Sequence, residues 1–182
     1  EGLEFFSADS LLDPLRTASF WTMKGRARVV GARGAYLFLA RLIQATEGRD
    51  VRFHLMGHSF GGIVMSAAVA GPPGVAPHPR PVHSMCLVQG ALSLWSYCSD
   101  IPVSPGTPGY FRRIIDDQLV TGPIITTRTD YDRALRIFYP RGAQLAGDFE
   151  RVASLPKYGA VGIYGVQGPG LQVSDELIKR AN

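Results

Sequence analysis

The chain reads Val51-Arg-Phe-His-Leu-Met-Gly-His-Ser-Phe-Gly-Gly62 near the end of its first third. The first six of these residues alternate between two faces after a Gly-Arg-Asp turn signal, which predicts a strand. A G-x-S-x-G motif follows at residues 57–61. Residues 63–70 are then apolar nearly all round and stop at a Gly-Pro-Pro sequence, as expected of a helix buried beside a sheet. The order of strand, motif and helix predicts an α/β fold.

The motif contains a candidate nucleophile, Ser59. In a sharp strand-to-helix reversal the serine is held in a strained backbone conformation, with its hydroxyl exposed above the sheet. Gly57 and Gly61 leave room for that reversal, because Cβ atoms at both positions are expected to make the strand and the helix collide. The backbone N–H of Phe60 is then the first candidate donor to an oxyanion. The alternative is a glycine-rich turn that holds an inert serine.

A candidate acid follows later in the chain. Residues 82–89 predict a second strand, which ends in an amide rather than a carboxylate, and residues 122–128 predict a third. The loop after the third strand carries Asp130 and Asp132, and a carboxylate there could orient a catalytic base for the serine. Either aspartate could instead cap the helix-like segment at residues 133–138.

A catalytic histidine is expected after the acid in the chain, and none is present there. All four histidines, His54, His58, His78 and His83, precede Asp132. His58 adjoins the serine, and its side chain is expected to point away from the space that the serine enters. His54 lies within a strand and is predicted to be packed and hydrogen-bonded. No base role can be assigned to the other two from their order.

Several stretches of this chain resemble the α/β-hydrolase fold, and in particular a largely uncharacterised bacterial family of serine hydrolases. The similar stretches are Ser19-Phe-Trp-Thr-Met-Lys24, Phe53-His-Leu-Met-Gly-His-Ser-Phe-Gly61, Leu87-Val-Gln-Gly-Ala-Leu-Ser-Leu-Trp95, Gly122-Pro-Ile-Ile-Thr-Thr127, Asp132-Arg-Ala134 and Pro156-Lys-Tyr-Gly159. The resemblance implies a mostly parallel sheet flanked by helices, with a cap-like loop insertion. It also implies a Ser-Asp-His triad that acts on an ester or another acyl substrate.

The same resemblance favours Asp132 as the acid, because the similar sequences place their acid directly before an Arg-Ala pair. It puts the histidine near the carboxyl end of the protein, beyond Asn182. We therefore expect residues 1–182 to be an incomplete single domain without the N-terminal strands and the catalytic histidine, with little hydrolytic activity of its own. A catalytically silent binding or interaction module is the alternative.

Composition narrows the possible partners. The formal net charge is +4, but the arginines are scattered and form no stripe, so we do not expect nucleic-acid binding. Two cysteines, Cys86 and Cys98, are too few for a disulfide framework and have no metal-ligand spacing, so we expect neither a metal nor a cofactor. Cys86 is predicted to lie in the core. No apolar run approaches the length of a membrane span. We therefore expect a soluble protein whose partner is a small-molecule or lipid-like acyl substrate.

The N-terminal part divides into two segments. Residues 1–19 are predicted to be irregular, with Asp13-Pro14 as a turn, and could belong to a lid. Residues 24–46 predict a helix with a wide apolar face, in which Gly31 and Gly34 either weaken the helix or permit close packing.

Three further segments carry expectations. Residues 93–113 are rich in proline and aromatic residues. The resemblance implies a cap or lid loop at this place, whose aromatic side chains could line a substrate pocket; the alternative is a long loop that these side chains anchor to the core. Glycine recurs every third residue over 159–168, which predicts a close-packed loop or a short strand. Residues 173–181 predict a short helix capped by Ser174.

Overall fold

The computed structural model describes residues 8–131, 151–152, 155–156 and 159–176. The main sheet has three parallel strands in the order β1, β2, β3, so the predicted α/β class is confirmed for this part of the chain. The strands are β1 (His54–His58), β2 (Ser84–Val88), β3 (Ile124–Thr127), β4 (Arg151–Val152) and β5 (Leu155–Pro156), of which the last two form a separate antiparallel pair. The helices are α1 (Ala8–Val30), α2 (Tyr36–Ala45), α3 (Phe60–Ala70), α4 (Arg113–Asp116) and α5 (Val161–Tyr164).

The register of the sheet decides which chain segments meet. His58 lies opposite Val88, and Val88 lies opposite Thr127. Because the strands are parallel, their carboxyl ends share one edge, and the loops that leave this edge are neighbours. Ser59 and Gln89 therefore follow adjacent strands at the same edge.

Helix α3 fills one face of the sheet. It is apolar almost throughout, and Ile63, Ala67 and Val69 are buried in the main core with Met85 and Leu87 of β2. It ends at Gly71, whose φ of 71° suits a glycine after a helix. The predicted buried helix is confirmed.

A long helical segment packs across α3. Helices α1 and α2 are joined by a π-helical turn at Gly31–Ala35, and the turn lies where the two helical layers approach most closely. A Cβ atom at Gly31 would lie 2.6 Å from the carbonyl oxygen of Val64, whereas one at Gly34 would have open space. Close packing, one of the two alternatives for these glycines, therefore holds at Gly31.

The boundaries of the terminal helices were partly mispredicted. Helix α1 begins at Ala8, so the irregular structure expected over residues 8–19 is wrong. Pro14 lies inside α1, where it removes one backbone donor without ending the helix. Residues 173–176 are not helical, which contradicts the predicted start of the last helix, while residues 177–181 lie outside the described residues. The helix expected over residues 133–138 also lies outside them.

Cys86 is half-buried, so its predicted place in the core is wrong. Side chains alternate along a strand, and the neighbours Met85 and Leu87 are the ones that are fully buried. Cys86 consequently lies on the opposite face of the sheet, between exposed Met56 and half-exposed Ile125 in the register.

The aromatic side chains of residues 93–113 are mostly internal. Trp95, Tyr97 and Phe111 are buried, as expected of a loop anchored to the core. The Tyr97 phenol lies 2.6 Å from the Ser66 hydroxyl, which donates to the carbonyl oxygen of Gly62 in α3. Burial raises the pKa of the Tyr97 phenol, which therefore stays protonated. The role of the segment as a cap over a site stays a prediction.

The glycine-rich segment is a close-packed loop, as one alternative predicted, with the single helical turn α5 inside it. A Cβ atom at Gly159 would lie 2.3 Å from the Leu94 side chain. The N–H of Val161 donates to Leu92 O and that of Gly162 to Gly90 O, which ties this loop to the chain leaving β2.

His78 connects the loop after α3 to the helices. Its Nε2 lies 2.9 Å from Ala68 O, its ring stacks on Tyr36, and its buried Nδ1 has no hydrogen-bond partner within the described ranges. Burial lowers the pKa of the imidazole from 6.5, and the bond to Ala68 partly opposes that shift.

We expect acidification below about pH 6.5 to reduce stability, because the unfolded chain then binds a proton that the folded His78 resists. Urea unfolding at pH 7.5 and pH 5.5 measures the loss. The loss should shrink in His78→Gln and persist in His58→Gln, whose side chain is exposed. An equal loss in the wild type and His78→Gln contradicts this assignment.

None of the helices in the described ranges has both the length and the apolar composition that a bilayer crossing requires.

Candidate active site

Ser59 occupies a strained position between β1 and α3. Its φ is 53° and its ψ is −119°, a region that residues other than glycine rarely adopt. Three backbone hydrogen bonds hold it there. Its N–H donates to Val88 O at 3.0 Å, and its carbonyl oxygen accepts from the N–H groups of Gly62 and Ala91, each at 3.1 Å. The sharp strand-to-helix reversal inferred from the sequence is therefore present.

The two glycines of the motif have different roles. A Cβ atom at Gly57 would lie 2.3 Å from the carbonyl oxygen of Gly61, so the strand and the helix do meet at Gly57. A Cβ atom at Gly61 would meet nothing within 4 Å. The expectation that both glycines prevent a collision is thus wrong for Gly61, whose backbone, rather than its missing side chain, forms the contact.

Ser59 is half-buried. No group among the described residues forms a hydrogen bond with its hydroxyl, and it does not cap α3. The next residue, Phe60, is the first of α3, and amides in a first helical turn have no acceptor inside the helix. A hydroxyl oxygen and an N–H donor consequently lie beside the positive end of the α3 dipole.

Gln89 is a second strained residue at the same edge. Its φ is 46°, and both its backbone N–H and its side-chain Nε2 donate to Thr127 Oγ1, at 3.0 and 3.3 Å. Gln89 was not among the predicted site residues, since a positive φ outside glycine leaves no signal in a single sequence. Its place before Gly90 at the end of an apolar strand is the one available hint.

The candidate acids fall at the limit of the described structure. Asp130 is exposed in the loop after β3, and Asp132 lies outside the described residues. The N–H of Thr129 donates to Gly162 O at 2.9 Å, which fixes the start of this loop beside α5. Since β2 separates β1 from β3, the loop leaves the sheet about 10 Å from Ser59, or two strand spacings.

Three of the four histidines lie at the other end of the sheet. His54 begins β1, about 16 Å from Ser59 at the rise of an extended strand. His83 accepts the N–H of Phe53 at Nδ1, and His78 contacts the far end of α3. Only His58 adjoins Ser59, and its side chain is exposed. None of His54, His78 and His83 can reach the Ser59 hydroxyl.

The prediction for His54 is half right. Its Nδ1 lies 2.7 Å from Ser84 Oγ, so it is hydrogen-bonded, but its side chain is exposed, with its ring centroid 5.9 Å from that of His83. The reason is the face of the strand: α3 covers the face of Leu55 and Gly57, and His54 points to the other face.

An apolar wall stands beside Ser59, and the sequence analysis did not foresee it. Phe20 of α1 has its ring centroid 5.0 Å from that of Phe60. These rings and Trp21 pack around a cluster of small and branched residues, namely Ala91, Ala160 and Ile163. Helix α1 thus contributes to the surroundings of Ser59, whereas the sequence predicted irregular structure for residues 1–19 and a helix only from residue 24.

Lys24 lies against this wall, and its pKa is strongly shifted. Its ammonium lies 4.6 Å from the ring centroid of Trp21. Burial, and secondarily the charge of Arg28, lower the pKa of the Lys24 ammonium to about 7. Arg28 in turn lies over the Tyr110 ring, 4.7 Å from its centroid.

No three His, Cys, Asp or Glu side chains of the described ranges lie close enough together to hold a metal ion. Comparison with protein-family models, curated proteins and solved structures finds no match to this chain. Ser59, the first turn of α3 and Gln89 come together at one edge of the sheet, which is the candidate active site.

Proposed function

We propose that the protein is a serine hydrolase of the α/β-hydrolase fold that acts on an ester or another acyl substrate. The conformation of Ser59 carries the proposal. A left-handed serine costs on the order of 1–3 kcal/mol, and such strain persists where the surrounding structure imposes it, most often at functional sites. Here three backbone hydrogen bonds impose it, and the half-buried Ser59 side chain does not cap the helix that follows.

The chemistry assigns a role to each group. Ser59 Oγ attacks the substrate carbonyl carbon while a base removes the hydroxyl proton. The backbone N–H of Phe60 donates to the oxygen on which negative charge develops. Asp132 is the proposed acid, because the similar sequences place their acid directly before an Arg-Ala pair, and Asp130 in the loop after β3 is the alternative.

The base is proposed to be a histidine outside these 182 residues. His54, His78 and His83 are too far away, and His58 is itself the last residue of β1, directly before the nucleophile, with an exposed side chain. A histidine that bridges Ser59 and the loop after β3 would lie above the carboxyl end of β2.

The apolar wall suggests where the acyl chain binds. Phe20, Trp21 and Phe60 place aromatic carbon beside the strand-to-helix reversal at Ser59, which favours an uncharged acyl group over a charged one. A small-molecule or lipid-like acyl substrate therefore fits this side of Ser59.

Labelling with a fluorophosphonate tests the proposal, because this reagent reacts with an activated serine hydroxyl. We expect the complete gene product to be labelled on Ser59 and its Ser59→Ala variant to remain unlabelled. Ser104→Ala, in an exposed loop, serves as the matched control and should label like the wild type. Equal labelling of the wild type and Ser59→Ala means that another group reacts, which contradicts Ser59 as the nucleophile. No labelling of either protein contradicts the hydrolase and favours a catalytically silent binding module.

A further inference from the structure

Gln89 lies between the two ends of the proposed catalytic apparatus. Val88 O accepts the N–H of Ser59, and the N–H of Ala91 donates back to Ser59 O, so residues 89–90 are held against the nucleophile. On its other side, Gln89 bonds to Thr127 at the end of β3. Gln89 thus stands between Ser59 and the loop that leaves β3.

The Gln89 carboxamide is held in place but retains unused hydrogen-bonding capacity. Backbone and side chain both donate to the single atom Thr127 Oγ1, so the side chain is fixed along the edge of the sheet. The residue is half-buried, and within the described structure its Oε1 has no hydrogen-bond partner. Ser59 and Gln89 follow neighbouring strands, and both have a positive φ. Each such residue lowers stability, so two of them side by side are unexpected in a turn with a purely structural role.

The Gln89 carboxamide can contact either the leaving group or the acyl chain, depending on the side of Ser59 on which each part of the substrate lies. In acyl transfer by a serine, the base that accepts the serine proton later gives it to the leaving group. The proposed acid comes after β3 in the chain, so we expect the proposed histidine and the leaving group over β2 and β3, on the Gln89 side of Ser59. The acyl chain then lies on the side of Phe20 and Phe60.

We propose that Gln89 binds the leaving group of the substrate through a neutral polar group, a hydroxyl, and that the protein prefers esters of polyhydric alcohols. A carboxamide offers both a donor and an acceptor without charge, which matches a hydroxyl better than it matches a carboxylate or an ammonium group. The inference rests on the proposed serine hydrolase and adds the substrate class to it.

A pair of esters that differ only in the leaving group tests this inference. Glyceryl monobutyrate and n-propyl butyrate share the acyl chain and the three-carbon alcohol, and the second lacks the free hydroxyls. In the complete gene product we expect a higher kcat/KM for the glyceryl ester. In Gln89→Ala we expect kcat/KM to fall about tenfold for the glyceryl ester and to change less than about twofold for the propyl ester.

Gln118→Ala is the matched control. Gln118 is also a glutamine with a positive φ, 50°, but it lies in the exposed turn after α4, away from the edge that carries Ser59. Its replacement should leave the ratio of the two kcat/KM values unchanged. Because the test is a ratio within one enzyme, a loss of folded protein cancels.

Two outcomes overturn the inference and can be told apart. If both esters are hydrolysed and their ratio is the same in Gln89→Ala as in the wild type, Gln89 does not bind the leaving group, while the hydrolase stands. If the wild type neither hydrolyses the esters nor reacts with a fluorophosphonate at Ser59, the proposed function itself fails.

Discussion

Replacing Gly57 with alanine is expected to lower the free energy of unfolding by at least about 3 kcal/mol, or to prevent folding. The new Cβ atom would lie 2.3 Å from Gly61 O, 2.4 Å from Gly61 C and 2.7 Å from Gly62 N. All three are backbone atoms at the start of α3, so no side chain can rotate to relieve the clash. Strand β1 and helix α3 must separate. Urea unfolding followed by circular dichroism measures the change as a lower midpoint.

Gly61→Ala is the matched control in the same motif. The added Cβ has open space, and position 61 lies in the first turn of α3 with no positive φ. Alanine is a better helix residue than glycine by about 1 kcal/mol, so the midpoint should stay unchanged or rise. Equal destabilisation by the two substitutions would mean that the approach at Gly57 is not what limits the turn.

The parts of the site that were predictable from the sequence are those with a local signal. The alternation before Gly57, the motif and the apolar run after it lie next to one another in the chain, so the reversal and α3 follow from local patterns. The third strand was equally readable. Parallel pairing then brings Ser59, Gln89 and the loop after β3 to one edge without any further information.

The remaining features depend on contacts that no local pattern encodes. Gln89 adopts its positive φ because Thr127, far along the chain, accepts both of its donors. Cys86 looks like a core residue in an apolar strand, but only one face of that strand is covered by α3. Similarly, Phe20 belongs to the site because α1 packs across α3, and the sequence around Pro14 suggested no helix there.

A substitution that removes the candidate nucleophile should also reveal the strain at its backbone. Ser59→Ala and Ser59→Gly both lose the hydroxyl, and we expect each to reduce turnover in the complete gene product by about 10⁵-fold or more. They differ in the backbone. Alanine keeps the penalty of a φ of 53°, while glycine adopts this conformation readily.

Ser59→Gly should therefore unfold at a higher urea concentration than Ser59→Ala. We expect the free energy of unfolding to differ by about 1 kcal/mol after allowing for the greater flexibility of glycine in the unfolded chain.

The same pair of substitutions at Ser104 gives the opposite expectation. Ser104 lies in an exposed loop and has no positive φ, so glycine there should be the less stable by about 0.5 kcal/mol. The reversal of sign between the two positions separates strain from the general cost of glycine. If Ser59→Gly is no more stable than Ser59→Ala, the backbone at Ser59 is relaxed, and the main support for a catalytic serine is lost.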